Sequence, residues 1–279
     1  MNLQEIFVMA AEIYYFSGTG NSLHTAKELK KRIPEAKLIP IVSLLNRDIV
    51  KTSEETVGFV FPVHLMMAPK AVRTFIEKLD LQADYIFAVA TRGGSRTRAF
   101  EDLEKILKKH GKNLDSCFIL NMANNDPKFE NWHQTTEDEV AKLESELQNS
   151  LNLVGNVVRN KEKYKEEDTH FKVQTLFFSV LSPFLPVLNR FFSIEFYPDS
   201  KCSGCGTCEK VCLSGKIKMV DEKPVWQDDV QCYFCNACLN YCPQRAVQIK
   251  SKRLLKSYTP KNGRYHHPEV TADDIAGQK

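Results

Sequence analysis

Tyr15-Phe16-Ser17-Gly18-Thr19-Gly20-Asn21-Ser22 marks a change of rhythm in the chain. Before and into it, residues 13–16 form a short β-prone run. After it, Leu23, Ala26, Leu29 and Ile33 recur on one helical face of residues 23–33. Small and hydroxyl residues between a strand and a helix point backbone N–H groups and the helix N-terminus at an anion. The string is not a dinucleotide fingerprint, because Leu23 stands where the third glycine belongs. Nor is it the P-loop of a nucleoside triphosphatase, since no Gly-Lys-Ser/Thr follows. Lacking that lysine, the loop suits a monophosphate held by amides and hydroxyls. A Ser/Gly-rich turn with a helix cap uses the same residues, and the string alone leaves that reading open.

Outward from this loop, strand-like and helical runs alternate. Residues 38–42 are a second strand candidate and residues 57–61 a third, closed by Pro62. Residues 72–79 read as a helix with Phe75, Ile76 and Leu79 on its apolar side. Residues 85–90 are a fourth strand, 99–110 a helix and 116–122 a fifth strand. The strands are near-continuous apolar runs, as in a parallel sheet covered on both faces. The expected fold is therefore α/β, a doubly wound parallel sheet. Residues 137–167 carry helical spacing at Val140, Leu143, Leu147, Leu151, Val154 and Val158, and read as a last, partly solvated helix. In such sheets ligands bind beyond the C-terminal ends of the strands. Pro62, Val63 and His64 follow the third strand; Thr91, Arg92, Gly93 and Gly94 follow the fourth. Both loops fall beside residues 17–22. Asn121, Asn124 and Asn125 follow the fifth strand and read first as a turn.

The far end of the chain has a different chemistry. Nine cysteines are present, and all but Cys117 lie between Cys202 and Cys242. Cys202, Cys205, Cys208 and Cys212 are spaced C-x2-C-x2-C-x3-C. Cys232, Cys235, Cys238 and Cys242 repeat that spacing, with Pro243 after the last. Three thiolates from one tight loop cap a face of an iron–sulfur cube, and the fourth ligates the cluster of the other repeat. The expected ligands are Cys202, Cys205, Cys208 and Cys242 for one cluster, and Cys232, Cys235, Cys238 and Cys212 for the second. Zinc is the competing reading, but its sites favour paired hooks separated by longer loops. Cys117 lies in a strand and reads as core.

With these motifs quoted, two resemblances follow. Residues 202–246 resemble a bacterial dicluster ferredoxin, a small α+β domain, with Leu213 where that family often has proline. Residues 12–129 resemble flavodoxin-like FMN domains. In that order they are similar to the flavodoxin–ferredoxin fusion proteins of anaerobic bacteria and archaea. The resemblance implies FMN and two 4Fe–4S clusters as cofactors. It implies that Ser17, Gly18, Thr19, Gly20, Asn21 and Ser22 hold the flavin phosphate. Pro62, Val63, His64, Thr91, Arg92, Gly93 and Gly94 would then meet the ring and its edge. Flavodoxins usually stack a Trp or Tyr on that ring, and these loops offer none. The implied division is 1–168 for the flavodoxin-like domain, 169–198 for an apolar linker, 199–253 for the ferredoxin-like domain and 254–279 for a polar tail. The sequence leaves open whether the tail packs back.

Composition fits a cytoplasmic protein. Hydrophobic residues make up 43% and charged residues 26%, and the net charge is +3. Nothing here calls for nucleic acid. Residues 1–11 lack the basic start of a secretory leader, and in a reducing compartment clustered cysteines bind metal more often than they form disulfides. The most apolar stretch, residues 176–196, is broken by Pro183, Pro186, Asn189, Arg190 and Glu195, so no transmembrane segment is expected; peripheral membrane contact is a secondary reading. The expected function is electron relay between FMN, the clusters and redox partner proteins, with no acid–base residue. Two other readings stay open: an FMN-dependent reductase of a quinone or other small oxidant, fed by the clusters, and a zinc-stabilised binding module. Arg92, Arg96 and Arg98, with Lys201, Lys210, Lys216, Lys218 and Lys223, lead to the expectation of a partner with an acidic patch; the competing reading is that these lysines are plain solvated surface.

Overall fold

The computed structural model describes residues 10–94, 96–128, 133–166, 168, 194–251 and 258–279. The sequence-predicted linker stretch 169–193 lies outside them. The first unit runs β1 (Ala11–Tyr15), α1 (Asn21–Arg32), β2 (Ala36–Pro40), β3 (Val50–Lys51), β4 (Thr56–Pro62), α2 (Lys70–Glu77), β5 (Leu79–Asp80) and β6 (Tyr85–Arg92). It continues with α3 (Ala99–Lys109), β7 (Ser116–Asn121), α4 (Glu137–Arg159) and β8 (Tyr164–Lys165). Six of these strands form one sheet in the order β2-β1-β4-β6-β7-β8. Every pairing in it is parallel. The short strands β3 and β5 pair only with each other.

Leaving out β3 and β5, the sheet strands follow the order 2-1-3-4-5, the flavodoxin-like order, with a sixth strand at the edge. The strand sequences explain the burial. Every residue of β1 is buried, and Phe59, Phe61, Phe87 and Phe118 are fully so, because helices cover both faces. Helices α1 and α4 pack together, and so do α2 and α3. The order reverses direction at β1, between β2 and β4. That reversal opens a crevice at the C-terminal ends of β1 and β4, where the Ser17–Ser22 loop begins.

The second unit comprises β9 (Ile194–Pro198), α5 (Thr207–Lys210), β10 (Ile217–Val220), β11 (Lys223–Trp226), α6 (Ala237–Asn240) and β12 (Val247–Ser251). β10 and β11 form one antiparallel hairpin; β9 and β12 form a second ladder that joins the two ends of the unit. The ladder therefore reaches upstream of Asp199 into the stretch that sequence assigned to the linker. A small core of Phe196, Ile217, Leu239, Val247 and Ile249 sits with Cys208 and Cys212.

The tail packs back. From Tyr258 it crosses the second unit, where buried Arg264 donates to the carbonyl oxygens of Leu239, Val247, Thr259, Asn262 and Gly263. It then reaches α7 (Ala272–Ala276), which packs against α5 of the second unit. Lys27 pairs with Asp274 at 2.7 Å. Among the described residues, no helix is long and apolar enough to cross a membrane.

Candidate functional site

The loop after β1 is buried from Ser17 to Ser22. Gly20 is the N-cap of α1, and no side chain caps that helix end. Its first amides are thus orphaned in a buried place, which is the electrostatic setting for an anion. The Oδ1 of Asn21 and the hydroxyl of Thr25 are buried without hydrogen-bond partners, and both are suited to a polar ligand. Ser22 Oγ lies 2.8 Å from Thr91 Oγ1, which brings the start of α1 against the end of β6; Thr91 and Arg92, expected in the loop after the fourth strand, lie within β6 because the strand runs on to Arg92. The Val63 amide donates to the Thr91 carbonyl at 2.8 Å, which brings in the loop after β4. These residues fit a phosphate at the start of α1 with a polyol beside it.

The predicted ring contacts divide. Pro62, Val63 and His64 are half-buried at the crevice. His64 stands edge-on to Phe16 at 6.2 Å. Burial, with Lys128 nearby, lowers its imidazole pKa to about 4. Arg92 instead turns to Asp168 at 2.6 Å, both largely buried, and to Asn121 at 3.0 Å. Gly94 is exposed in open space, and Gly93 packs beside Asn124. Asn124 closes a turn onto the Asp126 amide, as expected, whereas the Asn125 amide group donates to the Thr19 hydroxyl.

Three features of this site were not read from sequence. Tyr233, between two cysteines of the second repeat, stands edge-on to Phe16 at 6.1 Å. It supplies an aromatic ring that the flavodoxin-like loops lack. A Cβ on Gly18 would overlap the Cys235 carbonyl oxygen, so glycine alone permits the cysteine loop to approach this closely. Lastly, the Gln278 side chain accepts from the Ser17 amide at 3.0 Å and donates to the Ser17 carbonyl at 2.8 Å. The His267 amide donates to the Thr19 carbonyl at 2.8 Å. The tail straps the loop from above. No local sequence signal marks such contacts.

The cysteines gather in two sets. One pocket is lined by Cys202, Cys205, Cys208 and Cys242, among others. Cys212 lies close enough to raise the thiol pKa values of Cys232, Cys235 and Cys238, although burial is the larger cause for each. Burial pushes Cys208 up to about 11 and Cys235 to about 12. Cys205 goes the other way, lowered first by the Thr207 hydroxyl. Left alone, Cys208, Cys232, Cys235 and Cys238 would hold their protons; a bound metal must displace them. The backbone repeats as well as the spacing. Gly204 and Gly206 have φ of 72° and 73°, and Phe234 and Asn236, at the same places in the second repeat, have 52° and 59°. Left-handed turns aim the following amides into the loop, where sulfide can accept from them. The sulfur set fits cubane clusters. Cys117 is buried in β7, away from both sets, with its pKa raised to about 11 by burial.

Comparison with known proteins agrees on the cysteine region. Residues 201–247 match the 4Fe-4S dicluster domain family. A Methanocaldococcus jannaschii protein described as an uncharacterized ferredoxin is 34% identical over 74 residues, 25% of this chain and 96% of that protein. A component of an ion-translocating oxidoreductase complex from Methanosarcina acetivorans is 41% identical over 49 residues, which cover only 18% of either chain. For the first unit, an Agrobacterium tumefaciens protein described as a flavodoxin, WrbA-like protein, overlays 55% of this chain and 99% of its own at 16% identity and a TM-score of 0.38. At that score the overlay adds nothing to the strand order.

Proposed function

The chain belongs to the 4Fe–4S dicluster ferredoxins through residues 201–247, and from that premise we propose that it relays electrons between an FMN on its flavodoxin-like unit and two clusters. One observation carries the order of the relay. The phosphate loop packs directly on the second cysteine loop, Gly18 against Cys235. Cys235 and Cys238 join the core of the first unit, whereas Cys205 is exposed. The cluster of Cys232, Cys235, Cys238 and Cys212 is then the flavin's neighbour. The cluster of Cys202, Cys205, Cys208 and Cys242 is the outlet toward a partner.

FMN would supply the two-electron to one-electron conversion. The chain's own part is to bind and exclude water. Ser17–Ser22 would hold the phosphate; Thr91 and Asn125 brace that loop; Pro62, Val63, His64 and Tyr233 would wall the ring. A neutral His64 favours an uncharged ring edge. The kinship with a component of an ion-translocating oxidoreductase complex supports a redox protein as partner.

Anaerobic purification with iron, sulfide and flavin analysis tests this reading directly. The expected content is about eight irons and about one FMN per chain. Reducing the flavin in a rapid-mixing experiment should reduce the clusters within the same molecule, at a rate independent of protein concentration. A concentration-dependent rate, or a preparation that takes up no FMN, defeats it.

A further inference from the structure

Away from the crevice, three remote elements bring metal-ligating groups together. His24 comes from α1, Glu144 from α4 and His267 from the tail, and their ligand atoms lie within 4.8 Å of one another. Both imidazoles are 3% exposed. Their rings stack at 3.9 Å between centroids, 21° from parallel. Both Nε2 atoms converge on one oxygen, Glu144 Oε2, at 3.0 Å from His24 and 3.9 Å from His267. The remaining contacts hold these groups in place. Glu269 Oε2 is 3.2 Å from His24 Nδ1, and Gln148 donates to Glu144 Oε1 at 2.6 Å. The Glu269 amide lies 3.3 Å from His267 Nδ1.

We propose that His24, Glu144 and His267 form a binding site for a divalent transition metal, zinc above all, that fastens the tail across the phosphate loop. Two imidazole nitrogens and one carboxylate are a zinc donor set, with a fourth position left for water. Calcium and magnesium require more oxygen ligands than this site holds. The Glu144 side chain is 34% exposed, which gives both the ion and a water ligand a way in. Glu269 on His24 Nδ1 is the carboxylate that commonly fixes the tautomer of a ligating histidine, leaving Nε2 free for the ion. Tetrahedral bonds of about 2.0–2.1 Å bring ligand atoms to roughly 3.4 Å apart, so the site closes by a small inward turn of Glu144 and His267. That turn breaks the long Glu269 amide contact. The competing arrangement has no metal, with His24 lying between Glu144 and Glu269 alone.

The test uses the full chain with its clusters assembled, washed with chelator under anaerobic conditions and given one equivalent of zinc. The expected result is one zinc retained beyond the cluster iron. Its X-ray absorption edge should show only nitrogen and oxygen neighbours near about 2.0 Å, with no sulfur at about 2.3 Å. His267→Gln and Glu144→Gln should each weaken zinc by about a hundredfold or more while leaving the cluster absorption unchanged. If His267→Gln fails to fold, the part-exposed Glu144→Gln and the wild-type edge spectrum still decide. No retained zinc, a sulfur shell that places zinc in the cysteine loops, or variants that bind as tightly as wild type would each overturn the site.

Discussion

Two single residues carry much of the design. Gly18 separates the phosphate loop from the cysteine loop by the width of a missing methyl group. Gly18→Ala should cost about 1–3 kcal/mol through overpacking, seen as a lower urea midpoint with both cofactor signals lost together. Cys242 shares the pocket lined by Cys202, Cys205 and Cys208. Cys242→Ala should therefore damage that cluster and spare the one beside the flavin, as EPR of the reduced protein would record; loss of the other cluster would show that ligation is not crossed. The sequence made both cysteine sets and the 17–22 loop legible because their chemistry is written in contiguous residues. It could not reveal Tyr233, Asn125 or Gln278 as neighbours of that loop. Their roles depend on pairing across most of the chain, and no periodicity encodes that.

The central strands were legible because, buried on both faces, they read as near-continuous apolar runs. The strands expected at 57–61, 85–90 and 116–122 fall within one or two residues of β4, β6 and β7. Strands β3, β5 and β8 are not legible because two residues make no period. β9 was hidden because its partner among the described residues, β12, follows the entire cysteine region. Helix α4 opens with a capping box: Thr136 accepts from the Glu139 amide, and Glu139 accepts from the Thr136 amide. Thr136→Ala should cost about 1 kcal/mol, read from urea unfolding as a lower midpoint with an unchanged slope. At the end of β4, burial lowers the pKa of His64 from 6.5 to about 4. A folded pKa below the unfolded one means the contribution is intact above 6.5 and is lost as pH falls toward 4. Stability should decline across that window, and His64→Gln should flatten the decline; identical pH profiles for the two proteins would disprove it.

At the scale of the molecule, the tail joins the two units. It bonds to the second unit through Arg264 and to the first through Gln278. Gln278→Ala leaves the Ser17 amide and carbonyl without these partners and should loosen the strap by about 1–3 kcal/mol. The expected readout is faster release of flavin into an apoprotein trap, with cluster content unchanged. The basic face anticipated near the clusters is partly neutralised within the chain. Lys210 pairs with Asp273, Lys218 with Glu209, and Lys216 donates to the Gln227 and Val230 carbonyls.

Ser17 and Gln278 are separated by 261 positions, so the contact between them also sets an order of events during synthesis. A ribosome adding roughly 5–20 residues per second needs on the order of 13–50 s to travel from one to the other. For most of that interval the phosphate loop has neither strap nor cysteine loop over it. The nascent chain is thus open to a flavin before it is able to close, and tail residues made long after the loop are the ones that shut the door.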